Sequence, residues 1–199
     1  MRFTIQTQDF DKLAKRLAKN ADQAEKALKA TGNDMKKRVP GWAATEVTEV
    51  YNIKKKEITP QKDNGAPRRT AGNIRVAGQT VTNVVITYTG RVLTPTHFGM
   101  RPKALTPTAK GRKKRRPITA EIKKGQRKSL GPHVFLGSNR GGGYIPFKRT
   151  TNKAYPIESV KTLSLPQMID NPEVQDKIIK KINSELPKRL EHNVKRFFK

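Results

Sequence analysis

The sequence predicts an α+β fold, in which a small antiparallel β-sheet packs against a long N-terminal helix and a long C-terminal helix. Near both ends of the chain, apolar residues recur at steps of three and four, which is the spacing of one helix face. Between these ends, runs rich in β-branched residues alternate with turn-forming residues, as antiparallel strands do. Because 199 residues suit one domain with its own core, we assign 1–199 to a single domain.

The first elements are a short strand and a long helix. The stretch "RFTIQT" alternates apolar and polar residues and predicts the strand, and Asp9 is placed to cap the helix that follows. Because Thr31-Gly32 and Pro40-Gly41 interrupt the helical stripe, we predict a kink or a short break. The stripe consists of these apolar residues: Phe10, Leu13, Leu17, Ala21, Ala24, Leu28, Met35, Val39, Trp42, Val47, Val50 and Tyr51.

Two hairpins and a loop are predicted in the middle of the chain. "NIRVAG" and "TVTNVVITYTG" form the first hairpin, and "HVFLGS" and "GYIPFKR" form the second. Between them, "ITAEIKKG" alternates Ile118, Ala120 and Ile122 as a further strand. The segment 94–117 carries four prolines and much of the positive charge, so we predict a flexible, extended basic loop there.

A proline-bounded segment and a helix close the chain. Leu165, Met168 and Ile169 are isolated apolar residues, and we predict that each inserts into the core. Asn171 is placed to cap the last helix, with Pro172 at its first position. A four-residue repeat drifts around a straight helix, so this helix winds about its partner or bends. The repeat is Val174, Ile178, Ile182, Leu186, Leu190, Val194 and Phe198.

Positive charge is concentrated in the middle of the chain. The net charge is +27, and residues 61–153 hold 21 basic residues against 2 acidic ones. Such a density of like charge favours binding to a polyanion or to acidic neighbours, and nucleic acid is the commonest such partner. A solvated loop without a ligand is the plainer alternative. This interpretation is less favoured because the charge continues onto a predicted strand. The candidate nucleic-acid-binding residues are Lys110, Arg112, Lys113, Lys114, Arg115, Arg116, Lys123, Lys124, Arg127 and Lys128.

The composition of this basic run favours contact with the nucleic-acid backbone. No aromatic residue lies between Thr108 and Leu130, which argues against a surface that stacks single-stranded bases. Arginine does not predominate over lysine, so bidentate recognition of base edges is not indicated. We therefore expect binding that ignores sequence and depends steeply on salt.

Other classes of function find little support in the sequence. His97, His133 and His192 are far apart, and the acids are too few in the middle segment for a carboxylate cluster. The chain has no cysteine, which removes thiolate catalysis and cysteine zinc sites. No apolar run approaches the roughly 20 residues of a membrane span, and no secretory signal is recognisable. We predict no enzyme activity, no cofactor or metal, and no membrane partner.

The last third of the chain resembles the minor tail protein Z family of tailed bacteriophages. The stretches that carry the resemblance are "TAEIKKGQRKSLGPHVFLGS", "GYIPFKR", "YPIESVKTLSLPQMIDNPEV" and the closing "LPKRLEHNVKRFFK". The earlier "VYNIKKKEI" is also similar to a family segment. Two features depart from the family pattern: Pro40-Gly41 falls where the family keeps helix, and "TPTAKGRKKRRP" is longer and more basic than usual.

The resemblance implies a structural tail completion protein at the head-proximal end of a phage tail, where it assists head–tail joining. It implies a homo-oligomeric ring that matches the six-fold tail, contacts with the tail terminator and head–tail connector, and a location in the virion after assembly in the host cytoplasm. At that junction a basic loop would meet double-stranded genomic DNA. A sequence-independent nucleic-acid-binding protein of ribosomal or chromatin type stays open as the alternative, and a nuclease would need a carboxylate cluster that we do not find.

Overall fold

The structure, a computed structural model, describes residues 2–5, 21–58, 62–63, 66–67, 72–77, 84–107, 113–114, 116–139 and 141–198. Long helices towards both ends and small antiparallel sheets between them confirm the α+β class. The α-helices of this part of the chain are α1 (Ala21–Val50), α2 (Lys55–Ile58), α3 (Leu165–Ile169) and α4 (Pro172–Phe197). Phe10 and the other stripe residues before Ala21, together with Asp9, lie outside the described residues.

The described strands form several small sheets where the sequence predicted one. The strands are β1 (Arg2–Ile5), β2 (Lys62–Asp63), β3 (Ala66–Pro67), β4 (Gly72–Ala77), β5 (Val84–Gly90), β6 (Thr106–Pro107), β7 (Lys113–Lys114), β8 (Thr119–Glu121), β9 (Arg127–Ser129), β10 (Val134–Ser138), β11 (Tyr144–Arg149) and β12 (Ile157–Ser159). Both predicted hairpins, β4–β5 and β10–β11, are confirmed. The predicted N-terminal strand is also confirmed, and it pairs with β5. β12 extends the second hairpin, and the remaining strands pair two by two.

Helix α1 runs without a break through Thr31-Gly32 and Pro40-Gly41, so the predicted short break is wrong. Proline removes one backbone hydrogen bond from a helix and crowds the preceding turn. On both sides of Pro40, however, Met35, Val39 and Val47 are fully buried on one face. The packing of that continuous face outweighs the local cost of the proline.

Helix α4 packs against α1 and begins as predicted. The Asn171 side chain accepts a hydrogen bond from the Glu173 amide at 3.2 Å, and Pro172 occupies the first turn. The predicted stripe faces the core, with these residues buried: Val174, Ile178, Ile182, Leu186 and Leu190. Val194 is partly buried against the same cluster.

A buried polar contact sets the register of the two long helices. Asn193 on α4 donates from Nδ2 to Thr31 Oγ1 at 3.0 Å and to Asp34 Oδ2 at 3.2 Å. The Thr31 hydroxyl in turn donates to the Ala27 carbonyl at 2.8 Å. Sliding α4 along α1 would leave these buried groups without partners, which is costly.

Helix α3 anchors the connection into α4. Leu165, Met168 and Ile169 are buried in the main core, which confirms their predicted insertion. A capping box orients the helix. The Gln167 backbone N–H donates to Ser164 Oγ at 3.4 Å, and the Ser164 backbone N–H donates to Gln167 Oε1 at 2.8 Å.

The first part of segment 94–117 is packed into the fold and is not an extended loop. Residues 95–97 form a single turn of 3-10 helix. Phe98 and Met100, which follow it, are buried. Isolated apolar residues among prolines and cations carry no periodic signal, which is why the sequence pattern did not reveal this packing.

Candidate nucleic-acid interface

The turn that leads from β8 to β9 docks on the C-terminal end of α1. The Lys124 amide donates to the carbonyl of Val50, the last residue of α1, at 3.0 Å. The Asn52 amide donates to the Ile122 carbonyl, also at 3.0 Å, and Tyr51 pairs with Lys123. The last carbonyls of a helix have no hydrogen-bond partner within the helix, and the Lys124 backbone N–H is the partner of one of them. These bonds hold Lys123 and Lys124 at the end of the helix.

A second run of lysines lies at the same place. Lys54, Lys55 and Lys56 follow α1 almost directly and are exposed. The backbone bonds between 50–52 and 122–124 bring this run beside Lys123 and Lys124 from a distant part of the sequence. Lys54–Lys56 are not among the residues predicted from the sequence to bind nucleic acid. Three consecutive lysines where an apolar helical stripe ends were the available signal.

The electrostatics of α1 give these lysines a structural role as well. The last turn of α1 carries no basic residue of its own. The aligned peptide dipoles leave partial negative charge at this end of the helix, which cations stabilise. Lys55 also donates from Nζ to Thr45 Oγ1 on α1 at 2.7 Å. The lysines therefore stabilise the helix end while their charge stays exposed.

Segment 95–103 extends the positive charge along β8. Arg101 and Thr119 exchange two backbone hydrogen bonds, at 2.9 and 2.8 Å, and the Glu121 amide donates to the Phe98 carbonyl at 3.0 Å. The Arg101 and Lys103 side chains are exposed. We define the basic surface as the exposed residues Lys54, Lys55, Lys56, Arg101, Lys103, Lys123, Lys124 and Lys128.

Two acids that lie among these residues, Glu57 and Glu121, are each hydrogen-bonded to a neighbouring side chain. Glu57 Oε2 is hydrogen-bonded to His97 Nδ1. Glu121 Oε2 pairs with Arg127 Nη2 at 3.0 Å. Pairing reduces the negative field that either carboxylate projects, so the basic surface keeps its positive potential.

Arg127 differs from the other candidate residues because it is used inside the fold. Its Nη1 donates to the Gly99 carbonyl at 3.0 Å while its Nη2 holds Glu121. Gly99 itself has a φ of +59°, and a Cβ built on it would lie 2.7 Å from Asn52 Nδ2. A larger residue is therefore disfavoured at this junction. We leave Arg127 out of the basic surface because its guanidinium links β9 to segment 95–103.

Glu121 links pH to the stability of this junction. The Gly125 amide donates to Glu121 Oε1 at 2.9 Å and, together with Arg127, lowers the pKa of the Glu121 carboxyl from 4.5. A lowered pKa in the folded state contributes stability above the unfolded pKa, and that contribution is lost as pH falls through the folded pKa. We expect the wild type to be more stable than Glu121→Gln at about pH 6, and this advantage should shrink as the pH falls below 4.5 and through the lowered pKa of the folded state. Urea denaturation across this range measures it, with the exposed Glu158→Gln as control; a constant difference between wild type and Glu121→Gln would contradict it.

The structure places the ten predicted residues in different surroundings. Lys123, Lys124 and Lys128 lie on the basic surface. Arg116 is exposed and lines a separate groove beside β10. Lys113 and Lys114 form β7, whose backbone pairs with Pro107 and Thr106. Arg127 links β9 to segment 95–103. The remaining three, Lys110, Arg112 and Arg115, lie outside the described residues.

Other kinds of site find little support in the described part of the chain. Among the residues that the structure describes, no group of three or more His, Asp or Glu side chains is placed to hold a metal ion. No helix in the same part of the chain combines the length and apolarity needed to cross a membrane. Comparison of the chain with models of protein families, with curated proteins and with solved structures finds no match. The resemblance to the minor tail protein Z family therefore stays a prediction.

Proposed function

We propose that the protein is a structural, non-enzymatic tail completion protein of a long-tailed phage. It closes the head-proximal end of the tail as a homo-oligomeric ring and contacts the tail terminator and the head–tail connector. Its basic surface contacts the double-stranded genome without reading its sequence. The resemblance of residues 119–192 to the minor tail protein Z family supports the place in the tail, and the basic surface supports the DNA contact.

The observation that carries the DNA contact is the meeting of two lysine runs at one helix end. Lys54–Lys56 and Lys123–Lys124 come from distant parts of the chain, and backbone hydrogen bonds join the turn that holds Lys123 and Lys124 to residues 50–52, just before Lys54. Lysine presents a compact point charge that suits phosphate oxygens, whereas base recognition favours the planar fork of arginine. This surface therefore supports affinity that is electrostatic and independent of sequence.

The fixed backbone of this surface also favours binding. Lys123 and Lys124 lie in a turn whose main chain is hydrogen-bonded to the end of α1, and the main chain of Arg101 is hydrogen-bonded to β8. A mobile basic tail must be ordered when it binds, and that ordering weakens the affinity. Only the side chains need to be ordered here, so more of the electrostatic attraction remains as affinity.

The salt dependence of duplex DNA binding tests this proposal. Each phosphate neutralised contributes about −0.9 to the slope of log affinity against log salt. We expect replacement of Lys54, Lys55, Lys56, Lys123 and Lys124 with glutamine to flatten that slope by up to about 4.5. Fluorescence anisotropy with a labelled duplex of arbitrary sequence, measured over a range of salt, provides the slope.

The matched control removes the same charge from helix α4. Lys177, Lys180, Lys181, Lys188 and Lys195 lie on α4, and replacing them with glutamine changes the net charge equally. We expect this control to keep the wild-type slope. Equal slopes for both variants would show that net charge and not the basic surface drives binding. A third variant replaces Arg112, Lys113, Lys114, Arg115 and Arg116 with glutamine. The change in its slope measures how much these five predicted residues contribute to DNA binding.

Assembly separates the phage function from its alternative. A cryo-EM map of assembled tails should place a ring of this chain at the head-proximal end, with the basic surface facing the channel. An outward-facing basic surface would instead indicate an acidic protein partner in the neck. Binding to duplex DNA without incorporation into tails would favour the ribosomal or chromatin type of nucleic-acid-binding protein.

A further inference from the structure

A groove of about 750 Å³ lies beside β10, between the turn that precedes that strand and the turn that follows β11. Arg116, His133 and Arg149 supply its basic side chains, and Ser129 and Thr150 add hydroxyl groups. None of the described residues that line it is acidic. Its size falls within the range of roughly 300–1,000 Å³ that is typical of small-ligand sites. The groove is therefore suited to an anionic ligand of small-molecule size.

The wall of this groove carries a stack of aromatic rings that ends in a guanidinium. Phe135 on β10 lies opposite Phe147 on β11, with ring centroids 6.1 Å apart and an interplanar angle of 28°. The Arg149 guanidinium lies over the Phe135 ring, 5.2 Å from its centroid. Gly137 makes room for this column, since a Cβ there would come within 2.8 Å of the Phe147 ring. The column holds Arg149 in place as a flat, charged surface.

A site that combines a flat stacking surface with neighbouring cations favours nucleotides over other anions. Unpaired bases stack on aromatic rings and on guanidinium planes, while their phosphates pair with neighbouring cations. A carboxylate-bearing peptide would use the charges but gain little from the aromatic column. In a duplex the bases are stacked on one another and offer no open face to Arg149.

We propose that this groove binds an unpaired nucleotide of single-stranded DNA. The base stacks against the guanidinium of Arg149 above Phe135, and the phosphate lies beside Arg116 and His133. This site shares no residue with the basic surface and does not depend on the proposed function, although Arg116 is one of the residues predicted from the sequence to bind nucleic acid. The aromatic partner comes from outside the segment between Thr108 and Leu130, to which the sequence argument against stacking applied.

A pair of variants one residue apart on β11 tests the groove. Arg149→Gln removes a charge inside the groove, and Lys148→Gln removes the same charge from the neighbouring residue, which lines a different pocket. The probe is a fluorescein-labelled tetrathymidylate, titrated with the full chain at moderate salt. We expect Arg149→Gln to weaken binding at least about fivefold, while Lys148→Gln changes it by less than about twofold. Equal effects of the two variants would overturn the proposal.

A second variant separates stacking from charge. Phe135→Leu keeps every charge, so it should weaken tetrathymidylate binding while competition by inorganic phosphate stays unchanged. A thermal melt of each variant verifies the fold, and Arg149→Gln keeps the test decisive if Phe135→Leu unfolds. If a glutamate octapeptide competes as well as the oligonucleotide and Phe135→Leu has no effect, the groove binds an acidic protein segment and the proposal fails.

The variant of Lys54, Lys55, Lys56, Lys123 and Lys124 should retain tetrathymidylate binding, so failure of the duplex contact and failure of this site are distinguishable.

Discussion

Replacing Phe98 with alanine is expected to lower the free energy of unfolding by about 3–5 kcal/mol. The Phe98 side chain is fully buried in the main core, although it belongs to a segment that the sequence predicted as a loop. Removing the ring leaves a cavity that the surrounding side chains fill only in part. The Phe98 carbonyl also accepts a hydrogen bond from the Glu121 backbone amide at 3.0 Å, so the truncated residue is attached to β8, the strand that pairs with Arg101 of the basic surface. Urea denaturation followed by circular dichroism measures the loss.

Val92→Ala is the control for this variant. Val92 is 48% exposed and precedes the same segment, so its truncation should cost less than about 0.5 kcal/mol. If Phe98→Ala cost no more than the control, segment 95–103 would be the extended loop that its composition indicates. Such a result would also remove the support for Arg101 and Lys103 as parts of a fixed basic surface.

Met168→Ala is expected to cost about 2–5 kcal/mol of unfolding free energy. Met168 has no exposed surface and lies in the main core beside Leu165 and Ile169. The capping box of Ser164 and Gln167 orients α3, so the helix cannot shift easily to refill the space. If the slope of unfolding free energy against urea concentration is unchanged, the shift of the urea midpoint reports the whole loss of stability.

Lys161→Ala, a truncation of an exposed side chain just before α3, serves as the control and should be nearly neutral. A loss below about 0.5 kcal/mol for Met168→Ala would contradict the burial of this segment. It would indicate that "LSLPQM" is an assembly contact that becomes covered only when the chain joins its neighbours.

Local patterns in the sequence determined the class of fold and most of its elements. The four-residue stripe from Val174 to Leu190 predicted the buried face of α4, and Asn171 with Pro172 predicted its beginning. The glycine turn between β10 and β11 likewise predicted that hairpin. These features depend on residues that are neighbours in the chain, so periodicity and capping chemistry are sufficient to predict them.

Tertiary packing decided the features that local patterns misjudged. A proline with a glycine beside it predicted a break in α1, yet the buried face on both sides of Pro40 keeps the helix continuous. The prolines and cations of segment 94–117 predicted a loop, yet Phe98 and Met100 find places in two different clusters of the core. An isolated apolar residue has no period, so only its tertiary contacts show that it is buried.

The candidate site shows the same division. The density of charge between Lys110 and Lys128 was enough to predict a partner rich in negative charge, because net charge requires no knowledge of the fold. The sequence could not show that Lys54–Lys56 lie beside Lys123, or that Phe135 supports Arg149 in a groove with Arg116. Those neighbours are set by backbone hydrogen bonds and strand pairing between distant segments, and such contacts exist only after the chain has folded.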